Sequence, residues 1–252
     1  MGLDPVPEGD AMKRIALLWR MPVPAGMLVL LGCSADLTLP GSTAAPGLAV
    51  AVLRGDGQVG TVGQELPAPV VVEVKTDAGQ AMPGRRVAFV AAEGVGAGFD
   101  PDTALTDSQG QAESRWVLGT AVGVYTAEAR VVPDGESSLP IVPLQATADP
   151  GEPDTVRAIG PTIQPGQRRE VLPEPLAVLT VDRFGNPVAG VEVRWETSSG
   201  DGELSAETTL TGSDGTTSVI WTLGNRVGVE RATAKVEHAD GSPVTFTATV
   251  LF

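Results

Sequence analysis

The apolar residues in the second half of the chain alternate with polar ones. Val191, Val193 and Trp195 point one way if the segment is extended, and Glu192, Arg194 and Glu196 the other. The same period of two recurs at Ala232, Ala234 and Val236 against Arg231, Thr233 and Lys235. It recurs again at Phe246, Ala248 and Val250 against Thr245, Thr247 and Thr249. Side chains alternate between the faces of an extended chain, so these segments predict half-buried strands. Between them stand "FGNP", "SGDG", "SDG" and "ADGSP", whose Gly, Asn and Asp supply the positive φ or the local hydrogen bonds of tight turns. No segment shows a convincing helical period, so the pattern predicts about seven strands in two packed antiparallel sheets.

The pattern occurs twice. "WVLGTAVGVYTAEARV" from Trp116 and "WTLGNRVGVERATAKV" from Trp221 share 9 of 16 residues without a gap. The register continues upstream through Leu66/Leu172, Asp77/Arg183 and Thr106/Thr211, a period of about 105 residues. That period is the size of a whole small domain rather than a solenoid unit. Domains are therefore expected at 48–149 and 150–252. Phe89, Trp116, Trp195, Trp221 and Phe246 are the expected core aromatics. Tyr125 and Phe184 fit the inward positions least well, and no clear apolar patch stands outside the alternation. The junction "ADPGEPDT" from Ala148 holds two prolines and one glycine, a composition open to stiffening or to bending.

Before residue 48 the pattern changes. Lys13, Arg14 and Arg20 precede an apolar run of 11 residues, Met21 to Leu31, which is too short to cross a bilayer as a helix, roughly 20 residues being needed. Cys33, the single cysteine of the chain, closes that run in "LLGC". This resembles a bacterial lipobox, with Leu31 where Ala, Ser or Thr is more usual. The resemblance implies removal of residues 1–32, acylation of Cys33 and a membrane partner reached through that lipid, since stable anchoring takes more than one acyl chain. The acidic "MGLDPVPEGDA" is unlike a positive leader, and Met12 is the expected start. Residues 33–47, small and proline-bearing, read as a flexible lipidated tether. Ser34 is not the aspartate that marks inner-membrane retention, so by analogy the outer membrane is the expected location.

Composition narrows the chemistry. With 31 acidic against 17 basic residues the formal charge is -14, which opposes nucleic-acid binding. One cysteine and one histidine, His238, leave no internal disulfide and no Cys/His zinc set. Arg54-Gly55-Asp56 spells an integrin-recognition tripeptide but fits a turn after the first strand. Asp201, Asp214 and Asp240 lack the spacing of a calcium loop and are expected to shape turns. His238 has no triad partner, and "GVGAG" at Gly94 opens no helix. Phe252 is expected to end the last strand of the sandwich rather than to close a membrane barrel. No catalytic residue, cofactor or metal site is expected, and the chain is read as a non-enzyme.

"GDGQVGTVGQEL" (55–66), "DRFGNPVAGVEVRW" (182–195), "TGSDGTTSVIWTLG" (211–224) and "VTFTATV" (244–250) resemble the bacterial immunoglobulin-like domain of the Big-1 type, found in tandem in intimins and invasins. The resemblance covers nearly all of both copies. It implies an all-β fold of two tandem immunoglobulin-like β-sandwiches, with Trp195 and Phe89 on the strand that carries the core tryptophan of antibody domains. It also implies a cell-surface or periplasmic interaction or adhesion role with a protein or glycan partner. A passive envelope stalk or spacer is the alternative.

Overall fold

The computed structural model describes residues 47–252 apart from 95, 134–138 and 199; the signal segment 1–32, Cys33 and the tether up to residue 46 lie outside the described residues. Every regular element described is a strand. The first copy holds β1 (Leu48–Arg54), β2 (Gln58–Thr61), β3 (Val70–Thr76), β4 (Arg86–Ala91), β5 (Gly98–Asp100), β6 (Thr103–Leu105), β7 (Gln111–Val117), β8 (Gly123–Val131) and β9 (Ile141–Asp149). The second holds β10 (Thr155–Ile159), β11 (Ile163–Gln167), β12 (Leu176–Val181), β13 (Glu192–Thr197), β14 (Glu203–Leu204), β15 (Thr208–Leu210), β16 (Thr216–Val219), β17 (Trp221–Thr222), β18 (Gly228–Lys235) and β19 (Val244–Leu251).

The sheets repeat with the sequence. In the first copy one sheet runs β1-β3-β7-β5 and the other β2-β9-β8-β4-β6. In the second copy β10-β12-β16 and β14-β17 make one side, and β11-β19-β18-β13-β15 the other. The second and last strands of each copy pair in parallel, β2 with β9 and β11 with β19, while the other strand pairs are antiparallel. This is the partition of an immunoglobulin-like sandwich, with β1, β3 and β7 in one sheet and β4, β8 and β9 in the other. Nine and ten strands replace the expected seven because short edge segments pair separately and one long strand divides. Ser205 explains the division. Its hydroxyl takes the Ile220 N–H at 2.9 Å between β16 and β17, and its own N–H donates to the Ile220 carbonyl.

Each sandwich closes on its own core. Phe89, Trp116, Trp195, Trp221 and Phe246 are all buried. The two cores reach the same end with different parts. In the first, Phe99 bridges Phe89 and Trp116 with ring centroids 5.5 and 5.0 Å apart. In the second, Leu204 stands where Phe99 stands, and the lost volume returns from the opposite sheet as Phe246, 6.2 Å from Trp195, where the first copy has Leu144. Close-packed interiors tolerate exchange when total volume is kept.

Tyr125, expected to fit poorly, is buried at 4% exposure, its hydroxyl donating to the Ala121 carbonyl at 2.7 Å. Glu230 replaces it in the second copy, equally buried, its carboxylate taking the Gly224 N–H at 3.0 and 3.1 Å. Both side chains pin the same loop, one through a carbonyl and one through an amide. Phe252 lies past the end of β19 and is 88% exposed, so it does not complete that strand.

The paired tryptophans differ in one bond. The Trp221 Nε1–H donates to the Asp201 carbonyl at 2.9 Å, whereas the Trp116 Nε1–H has no acceptor among the described residues. Trp221→Ala is expected to cost about 3 to 5 kcal/mol of stability in the second sandwich, by lost burial and the cavity left behind. Trp221→Phe is expected to cost about 1 kcal/mol more than Trp116→Phe, because only the former breaks a hydrogen bond. Urea unfolding followed by circular dichroism measures both differences; equal costs for the two phenylalanine variants would contradict this account of the bond.

Candidate functional site

The sequence-level candidates separate into turns. Arg54 pairs with Glu113 at 3.3 Å, and Asp56 accepts the Gln145 N–H at 2.7 Å, so the tripeptide ties the end of β1 to β7 and to β9. Asp214 accepts from the Thr216 N–H and hydroxyl, which holds its carboxyl below the usual range. Asp201 accepts the Arg231 N–H, and the Asp240 backbone exchanges hydrogen bonds with Val156 and Asp154. Among the described residues no three metal-ligating side chains gather. His238 is exposed, in a turn with φ 61°.

Polar groups do converge where the two sandwiches meet. The turn after β12, Asp182 to Asn186, reaches across to the first sandwich. Asn186 donates to the Thr120 carbonyl at 2.9 Å and accepts the Val122 N–H at 3.3 Å. Its amide also donates to the Asp182 carboxylate at 2.9 and 3.1 Å. Asp182, only 2% exposed, further accepts the Phe184 and Asn186 N–H groups and, from the linker, the Gly151 N–H, each at 2.9 Å. Burial raises the Asp182 pKa, but these donors outweigh it and hold the carboxyl below the ordinary range.

Apolar contact completes the junction. The Phe184 ring lies against Gly63, whose φ is 69°; a Cβ there would come within 2.8 Å of the ring. The Arg183 guanidinium covers the ring at 4.5 Å. A cleft of about 770 Å³ opens beside these residues, lined by Thr61 and Gln64, the linker, Arg183 and His238. The linker left open as stiff or bendable is tied by its Gly151 N–H to Asp182, whose partner Asn186 bonds the first sandwich. Local pattern does not mark Asp182 and Asn186 as junction residues, because the partners that make them so, Gly151, Val122 and Thr120, lie 31, 64 and 66 residues away.

The outward faces correct a second expectation. Val59, Thr147 and Val124 form one row across β2, β9 and β8, and Pro165, Thr249 and Val229 form the matching row across β11, β19 and β18. Val124 is 60% exposed and Val229 54%, with Ile163 and Leu251 exposed beside the second row. Apolar side chains do stand outside the alternation. The period of two places Thr249 on this outer face, and Val229 falls on it in register with Arg231.

The strand order makes this an all-β protein of two tandem immunoglobulin-like sandwiches. No protein-family model matches the sequence, and no curated protein matches it. Among solved structures the chain is similar to the D00-D0 domain of intimin, 17% identical over 81% of this chain and 100% of that one, with a TM-score of 0.41. It is similar to the Escherichia coli adhesin FdeC, 17% identical over 82% of this chain and 65% of that one, TM-score 0.48. It is also similar to invasin, described as a bacterial integrin-binding protein, 24% identical over 81% of this chain and 39% of that one, TM-score 0.35.

A carboxyl with a depressed folded pKa contributes stability that is present above the unfolded value, about 3.9, and is lost as pH falls through the folded value. Asp182→Asn is therefore expected to cost about 1.5 to 3 kcal/mol at pH 7, the range for hydrogen bonds to a charged group. The difference from the parent should shrink once the pH drops below the depressed value. Denaturant unfolding at neutral and strongly acidic pH checks this; a cost independent of pH would contradict the role given to the charge.

Proposed function

We propose that this chain is a lipid-anchored protein of the bacterial cell envelope whose tandem sandwiches mediate interaction or adhesion at the surface or in the periplasm, without catalysis. The anchor reading rests on the single cysteine standing at the end of "LLGC". The interaction reading rests on the outward rows Val59-Thr147-Val124 and Pro165-Thr249-Val229, since an exposed apolar group on a sheet face gains by being covered. A protein or glycan surface is the proposed partner, and the outer membrane the proposed site. The spacer reading has its own support in the Asp182 and Asn186 contacts, which suit an element that transmits reach.

Two measurements test this. Palmitate labelling of cells expressing the chain is expected to mark the parent and not Cys33→Ser; an unlabelled parent removes the anchor. Fluorescent residues 48–252 are expected to bind isolated envelopes saturably, with several-fold weaker binding by the Val124→Asp, Val229→Asp double variant. Linear, unsaturable uptake would favour the spacer.

A further inference from the structure

The duplication allows the ends of the tandem to be compared with its internal junction, position by position. Matching backbone bonds fix the correspondence. The Gln64 N–H donates to the Thr61 carbonyl as Glu170 does to Gln167, so Arg169 stands where the first copy has Gly63. Arg169 keeps the same left-handed backbone, φ 63° against 69°, although a side chain is disfavoured there. The Thr76 N–H donates to the Gln80 carbonyl as Asp182 does to Asn186, so Asp77, Ala78 and Gln80 stand where the second copy has Arg183, Phe184 and Asn186.

At the internal junction a large cation-aromatic pair, Arg183 and Phe184, meets glycine. At the two outer ends size and charge are exchanged. The far end of the second sandwich carries Arg169, and the near end of the first carries Asp77 and Ala78, all exposed. The remaining elements of the junction are retained. Val122-Gly123-Val124, whose first N–H donates to Asn186, recurs as Val227-Gly228-Val229, and Gln80 supplies a carboxamide in place of Asn186. A small residue beside an acid faces a large cation, where inside the chain a large cation faces a small residue.

We propose that a second copy of this chain docks end to end on the first, its Asp77 to Gln80 turn seated on the loops around Arg169 and Val227 as the Asp182 to Asn186 turn is seated on Gly63 and Val122. Asp77 pairs with Arg169, and Gln80 addresses the Asn225 carbonyl and the Val227 N–H, the equivalents of Thr120 and Val122. The incoming chain at Gly47 runs beside this turn, its carbonyl accepting the Asp77 N–H at 3.0 Å. The linker does likewise at the internal junction, where Gly151 bonds Asp182, so this course is compatible with docking. The overall charge of -14 opposes association, but at physiological salt charges beyond about 8 Å are largely screened and the ends act locally. The contact joins unlike surfaces and does not close on itself, so it builds open chains rather than dimers. It is independent of the anchor and of any adhesive role.

Sedimentation velocity of the full chain carrying Cys33→Ser tests this over a concentration series. The expected result is an average mass that rises beyond the dimer and falls at high salt. Asp77→Arg and Arg169→Asp should each weaken association several-fold, and their combination should restore it. Arg169→Gly, which relieves the left-handed backbone, should weaken association without lowering the melting temperature, and it reads the same end if a reversal fails to fold. A monomer at every concentration overturns the proposal. So does a closed dimer, or association indifferent to the reversals, as contact through the apolar segment 21–31 would be.

Discussion

One buried carboxylate organises the described chain. Asp182 gathers the N–H of Gly151 from the linker, those of Phe184 and Asn186 from its own turn, and the Asn186 amide, which in turn grips the first sandwich. An uncompensated buried charge is costly, and this one is compensated only while linker, turn and neighbouring loop keep their places. Thr76, its counterpart in the first copy, has one hydroxyl, whose bond among the described residues is the local one from the Gln80 N–H, at 3.2 Å. The step from threonine to aspartate extends a local turn motif to the linker, through the Gly151 N–H.

The two copies show which features of the sandwich are constrained and which are interchangeable. Gln58 and Gln164 each bridge a strand to the loop after it, Gln58 to the Ala68 backbone and Gln164 to that of Glu174. Thr106 and Thr211 each receive one backbone N–H and donate to one carbonyl between the same elements. These directional contacts are kept residue for residue. The apolar core is conserved in volume instead, with Phe99 exchanged for Phe246, as expected where burial is non-directional.

Much of this was legible in the chain. Alternation at Val191 to Glu196 and at Val244 to Val250 marked strands, and the tryptophan-centred repeat marked two units, because period and repeat are local signals. Tyr125 breaks the expected pattern because its hydroxyl is satisfied by a carbonyl four residues back, a polar handle on an inward ring. Strand number was underestimated because edge pairing at Gly98–Asp100 and Thr103–Leu105 depends on neighbours far along the chain. The junction was hidden for the same reason, since nothing in "DRFGNP" declares that its asparagine binds residues 120 and 122.

The central claim is that the Asp182 and Asn186 contacts hold the two sandwiches in one arrangement. Spin labels at Ser108→Cys and Ser213→Cys, in a chain carrying Cys33→Ser, measure the distance between equivalent exposed turns of the two copies. A single narrow distance distribution is predicted, broadening when Asn186→Ala or Asp182→Ala is added. A broad distribution in the parent, or a narrow one that survives both substitutions, would contradict it.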